Sequence, residues 1–162
     1  MIEVKNISKT FGDHLVLDDI TVTFERGKTN LIIGQSGSGK TVMMKICIGL
    51  YEPDHGGITF DGRPFSNTKE KKKIDIRKEM GVLFQGGALF DSMNVEQNVM
   101  FPLNMFTDMS YEDKLKRVNF CLNRVNLKGI NNLSTSELSG GMMKRVAIAR
   151  AISNAPKYLF CD

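Results

Sequence analysis

The stretch TNLIIGQSGSGKTVMMKICIGL, residues 29–50, limits the possible folds of this chain more than any other. Residues 29–34 are an apolar run suited to a buried strand, and residues 40–50 carry Val42, Met44, Ile46, Cys47 and Leu50 in a helical pattern. Strand, glycine-rich turn and helix make half of a βαβ unit, which implies a parallel sheet layered with helices. Gly34 and Gly39 are separated by four residues and followed by Lys40 and Thr41, the spacing of a phosphate-binding loop. In such a loop, backbone N–H groups from Gly34, Gln35, Ser36, Gly37, Ser38 and Gly39 converge on phosphates without a Cβ in the way. The helix that follows turns its positive end to the same anion. Lys40 is placed to reach the β- and γ-phosphates, and the Thr41 hydroxyl to ligate Mg²⁺. The loop alone leaves open kinases, GTPases, motors and transport ATPases.

The rest of the chain supplies the setting. Ile2, Val4 and Ile7, then Ile20, Val22 and Phe24, alternate around Gly12-Asp13 and predict an antiparallel pair at the front. GITFDG (57–62) reads as a short strand ending in an Asp-Gly turn, and MGVLFQ (80–85) as another buried strand. Residues 93–127 are expected to be mostly helical, with Leu115, Val118, Leu122 and Val125 at helix spacing and Ser110 with Asp113 as a start signal. A further helix from Ser139 carries Met142, Val146 and Ala149 on one side, with Met143, Ala147 and Ala151 beside them, and Pro156 ends it. YLFCD (158–162) closes the chain as an apolar strand running into a carboxylate. No internal repeat, low-complexity tract or flexible linker is apparent in the sequence.

The 162 residues suffice for one ordinary domain with a sizeable core, and 41% hydrophobic with 25% charged residues describe a globular chain. The net charge of +4 is a mild excess, partly from KEKKK at 69–73, which reads as a solvated helix face rather than a nucleic-acid patch. Cys47, Cys121 and Cys161 lie in apolar patterns without metal-ligand spacing and are expected to be reduced core residues. His14 and His55 fall in turns and read as surface residues. No stretch approaches the roughly 18 apolar residues of a membrane span, and the start MIEVKNISKTF lacks the form of a signal peptide. The expected location is cytoplasmic, peripheral on the inner face of the cell membrane through a membrane partner.

ELSGGMMKRVAIARA, 137–151, puts Ser139, Gly140 and Gly141 at a helix start, either a second anion cradle or a plain glycine turn. LSGGM followed by KRVAIARA resembles the signature motif of ABC-type ATPases, with Met142 where the commoner form has Gln. With Gly34 to Thr41 and YLFCD, the similarity to the ATP-binding subunit of an ABC transporter covers all 162 residues. The resemblance implies an α/β P-loop NTPase with a RecA-like core, an N-terminal antiparallel β subdomain and a helical insertion, incomplete at the C-terminus. Residues 1–85 and 140–162 would form the β subdomain and nucleotide-binding core, and 86–139 the mostly helical subdomain. It implies ATP and Mg²⁺ as cofactors, a second ATPase subunit in a head-to-tail homodimer, and a transmembrane permease. The signature of one subunit would close over the γ-phosphate held by the P-loop of the other. Phe11 would stack on adenine, for ~1–3 kcal/mol by analogy with base stacking elsewhere. Gln85 would touch the metal and the attacking water, and Asp162 would hold Mg²⁺.

LFQGGALFDSMNVEQNVMFPL (83–103), PDHGGITFDG (53–62) and the Met in LSGGM are similar to the ATPases of Mla-type phospholipid transport systems. That resemblance implies a lipid-binding MCE protein as a further partner. In the family a glutamate polarising the attacking water follows the aspartate matched by Asp162, and a D-loop and switch histidine come later. Without the glutamate, a loss of about 10²- to 10⁴-fold in rate is expected of the chain. Two other readings remain, a soluble ABC ATPase acting on nucleic acid or ribosomes and a non-catalytic nucleotide-binding module.

Overall fold

The computed structural model describes residues 1–162, and the chain divides into two compact units, Met1–Arg77 and Lys78–Asp162. In the first, β1 (Ile2–Phe11) and β2 (His14–Phe24) form the expected hairpin around Gly12-Asp13, with Phe11 paired to His14 at its tip. The hairpin is irregular between Val4 and Ile7, where Asn6 and, on the facing strand, Asp19 both take positive φ. There the Asn6 amide donates to Asp19 Oδ1 at 2.7 Å, and the Asp19 N–H to Ser8 Oγ at 3.0 Å. β3 (His55–Phe60) pairs antiparallel with β1 and turns through Asp61-Gly62, both at positive φ, into the two-residue β4 (Arg63–Pro64). The sheet order is β2-β1-β3-β4.

Two helices complete this unit. α1 (Lys40–Cys47) buries Met43, Met44, Ile46 and Cys47. α2 (Glu70–Arg77) contains the lysine run, and it departs from a fully solvated face because Lys73 is buried and paired with Glu52. The expected strand at 29–34 is not formed. Leu31 and Ile33 are 81% and 82% exposed, and these residues join no ladder. Apolar composition describes a surface suited to neighbours; a strand also needs a paired backbone, which no segment of this chain supplies here.

In the second unit β5 (Met80–Leu83) and β6 (Tyr158–Cys161) run parallel in register, Met80 beside Tyr158 and Leu83 beside Cys161. α3 (Val95–Phe106), α4 (Tyr111–Arg124) and α5 (Gly140–Ile152) share a core that includes Val99, Leu103, Val118, Leu122, Val146 and Ala149. Ser110 caps α4 through the Asp113 N–H, as the sequence suggests. α5 lies directly on β5, because a Cβ at Gly81 would stand 2.2 Å from the Ala151 carbonyl oxygen, so only glycine fits. Cys47 and Cys121 are buried, but Cys161 is exposed, since β6 has a neighbour on one side only and alternates in burial.

Residues 84–94 contain no helix or strand and are held by side chains from two helices. Asn98 of α3 is wholly buried; its Oδ1 accepts the Phe90 N–H at 2.8 Å, and its Nδ2 donates to the carbonyls of Phe90, Met93 and Asn94 at 3.1, 3.1 and 3.0 Å. Arg150 of α5 donates to the carbonyls of Gly87 and Ala88, both at 2.7 Å, with its guanidinium 5.7 Å from the Phe90 ring centre. α4 and α5 also cap each other. Arg117 donates to Ser153 and Ile152 carbonyls at the end of α5, and Arg145 to Val125 and Asn126 carbonyls at the end of α4.

Two outcomes follow from burial. Replacing Asn98 by Ala strands several buried backbone groups, and urea unfolding of N98A is expected to show a loss of about 2–3 kcal/mol. Burial pushes the Cys47 thiol up to about 12, so it stays protonated at neutral and mildly alkaline pH. Iodoacetamide at pH 8 is expected to spare Cys47 in the folded protein and to modify it in urea, as read by peptide mass mapping.

Candidate functional site

The predicted site residues fall into both units. Phe11 and Gly34 to Thr41 lie in the first; Gln85, Ser139 to Gly141 and Asp162 lie in the second.

The phosphate-binding loop is built around a helix start with no side-chain cap. Gly39 stands at the N-cap of α1 with φ 89, and no side chain accepts from the first turn. A residue with a Cβ would be strained at that φ and would meet Leu17 Cδ2 at 2.8 Å. The helix therefore begins with no side-chain cap and with the positive end of its dipole, an arrangement suited to an anion. The Lys40 ammonium donates to the Gly34 and Gln35 carbonyls at 2.9 and 2.7 Å, folding back over the loop that it follows. Thr41 sits one residue into α1. Phe11, at the hairpin tip, is 41% exposed and meets the Tyr51 ring edge-on, 5.3 Å between centres.

In the second unit β5 and β6 bring Gln85 and Asp162 to one edge. Because the strands are parallel and in register, both residues follow their carboxyl ends, and the Asp162 N–H donates to the Leu83 carbonyl at 2.9 Å. Gln85 is exposed in the turn after β5. The carboxyl edge of parallel strands is where ligands of open α/β sheets bind.

The signature residues stand apart from that edge. Gly87 lies beside Ala147, and Ser139 is about two turns earlier on α5, roughly 12 Å along its axis. Ser139 Oγ accepts the Met142 N–H at 3.2 Å. Gly140 and Gly141 are exposed, and a Cβ on either would meet nothing within 4 Å. Nothing in the chain's own packing requires glycine at these positions; an approaching outside group would.

Sequence reasoning passed over the residues that support the site. Arg145 and Arg150, within KRVAIARA, and Asn98 carry no motif of their own, yet each donates to backbone carbonyls. Tyr51 gave no signal beyond being an aromatic just past the end of a predicted helix. No cluster of three or more His, Cys, Asp or Glu side chains could hold a metal alone, and no helix is long and apolar enough to cross a membrane.

The "Intermembrane phospholipid transport system ATP-binding protein MlaF" of Escherichia coli (strain K12) is 40% identical over 162 residues, covering 100% of this chain and 60% of that protein. The "Probable ribonucleotide transport ATP-binding protein mkl" of Mycobacterium leprae (strain TN) is 39% identical over 161 residues, 99% of this chain and 46% of that one. The chain thus spans about half to three-fifths of the length of these relatives. Among solved structures, "Dimeric Structure of MJ0796, a Bacterial ABC Transporter Cassette" superposes with a TM-score of 0.93 at 32% identity, covering 100% of this chain and 73% of that one. A second structure of that cassette, "bound to ADP and Pi", gives a TM-score of 0.92 at 31% identity, again with 100% and 73% coverage. The α/β P-loop fold expected from the sequence is the fold of these cassettes. The family described as "ABC transporter" matches residues 17–162, and this chain belongs to it.

Proposed function

We propose that the chain is the ATP-binding and ATP-hydrolysing part of an ABC transporter, working as a head-to-tail dimer on a transmembrane permease and coupled to phospholipid trafficking in a bacterial envelope. The observation that carries the nucleotide reading is the start of α1, which has no side-chain cap and follows the left-handed Gly39 of a phosphate-loop sequence. There the loop N–H groups bind the phosphates, and Lys40 moves from the Gly34 and Gln35 carbonyls to the β- and γ-phosphates. Phe11 takes the adenine face. Thr41, Gln85 and Asp162 are oxygen donors of the kind Mg²⁺ prefers and would hold it together with the phosphates. When bound, that ion neutralises charge on the phosphates.

Gln85 orients the water whose oxygen attacks the γ-phosphorus as the bond to the bridging oxygen breaks, releasing ADP and phosphate. The expected proton acceptor is a glutamate directly after an aspartate in the place of Asp162. The residues of this chain bind and orient the reactants. The open Gly140 and Gly141 fit the dimer, with the signature of one copy over the γ-phosphate held by the other. Support for phospholipid cargo is the 40% identity to MlaF along the whole chain. An MCE protein as a further partner, and a cytoplasmic position on the inner membrane face, belong to the same reading.

Loss of the Lys40 ammonium removes charge-assisted hydrogen bonds to phosphate. Calorimetric titration of K40A with ATP and Mg²⁺ is expected to show affinity about 10- to 100-fold weaker than the parent, with an unchanged melting temperature. Parent-like affinity in K40A would remove the basis of this reading. Cargo is tested separately, by ATP-dependent lipid transfer between vesicles carrying the permease complex.

A further inference from the structure

Beyond α1 the chain reverses at Gly49, and the Tyr51 N–H donates to the Lys45 carbonyl at 3.3 Å, anchoring Tyr51 to the last turn of the P-loop helix. From there its ring reaches Phe11 on the hairpin, edge to face at 5.3 Å and 69°. Cations flank the pair. Lys45 Nζ lies 5.5 Å from the Tyr51 ring centre and Lys9 Nζ 5.4 Å from that of Phe11. The Lys9 ammonium is fixed in turn by Asp54 Oδ1 at 2.7 Å, while Asp54 Oδ2 accepts the Thr10 N–H at 2.7 Å and the Asp54 N–H donates to the Ser8 carbonyl at 2.9 Å. Residues 51–54 therefore strap the tip of the hairpin to the end of α1.

An exposed phenylalanine at a two-residue hairpin tip has no other aromatic partner to hold its ring, and a mobile ring loses entropy whenever it stacks. We propose that Tyr51 is a positioning residue that holds the Phe11 ring ready for the nucleobase and ties it to the helix that binds the phosphates. This inference rests on the reading of Phe11 as the adenine platform. Tyr51 acts through Phe11, so its effect is confined to ligands that carry a base.

The test compares binding of ATP and of inorganic tripolyphosphate, each with Mg²⁺, by the whole chain and its variants. Tyr51→Leu keeps apolar bulk at a partly exposed position, so the fold is retained. Y51L is expected to bind ATP about two- to tenfold more weakly and tripolyphosphate unchanged. Tyr51→Phe keeps the ring and is expected to bind ATP as the parent does. In a Phe11→Ala background, Y51L is expected to add no further loss. Equal losses for ATP and tripolyphosphate, or weak ATP binding by Y51F, would overturn the proposal in favour of a general structural role. ATP affinity unchanged in Y51L but weakened in F11A overturns this inference and leaves the platform reading standing. ATP affinity unchanged in F11A overturns the platform reading itself, and this inference with it.

Discussion

Residues 84–94 carry no backbone ladder of their own, and the arrangement of the second unit depends on how their polar groups are satisfied. Asn98 and Arg150 do this from opposite helices, one with a buried amide making four bonds, the other with a guanidinium forked over two adjacent carbonyls. Buried groups of this kind cost little when fully paired and a good deal when partly paired, so the segment has one well-defined course. Its first residue after β5 and Phe84 is Gln85, and its last leads into α3. Arg150 lies on the helix that Ser139 begins, so its bonds to the Gly87 and Ala88 carbonyls tie that helix to the segment that follows Gln85.

The first unit uses the opposite device. Where the second unit satisfies its backbone through side chains, the start of α1 has no side-chain cap, and Gly39 makes its left-handed turn tight against Leu17 and Val16. An uncapped helix costs stability, of the order of 1 kcal/mol, in the absence of an anion. Lys40 offsets part of this by bonding the loop carbonyls, contacts that the phosphates of a nucleotide would replace. Tyr51 beyond α1 and Phe11 at the hairpin tip would extend the same principle from phosphates to base.

Much of this was legible in the sequence because it is local. The front hairpin, the Asp61-Gly62 turn, the Ser110 cap and the Ser139 helix start depend on residues a few positions apart, and each forms as expected. The glycine spacing of the loop is similarly self-contained. What was not legible depends on distant partners. TNLIIG has the composition of a strand but lacks a paired neighbour, and Cys161 is exposed because β6 is an edge. Lys73 belongs to a run that reads as solvent-facing, yet one member of it is buried against Glu52. Arg117, Arg145 and Arg150 look like surface charges until the helix ends and the loop they serve are known. The roles expected of Phe11, Gln85, Ser139 and Asp162 come from motif resemblance, and the structure adds where each one stands.

The central claim is that one copy's phosphate loop and another copy's signature form a single site. The most direct measurement is sedimentation, with ATP and without added Mg²⁺, of Lys40→Ala chains, Gly141→Glu chains and an equal mixture of the two. The account predicts that neither variant associates alone, whereas the mixture does, because one intact loop then faces one intact signature. A mixture that stays monomeric while the parent chain associates, or Gly141→Glu chains that associate by themselves as the parent does, would contradict it.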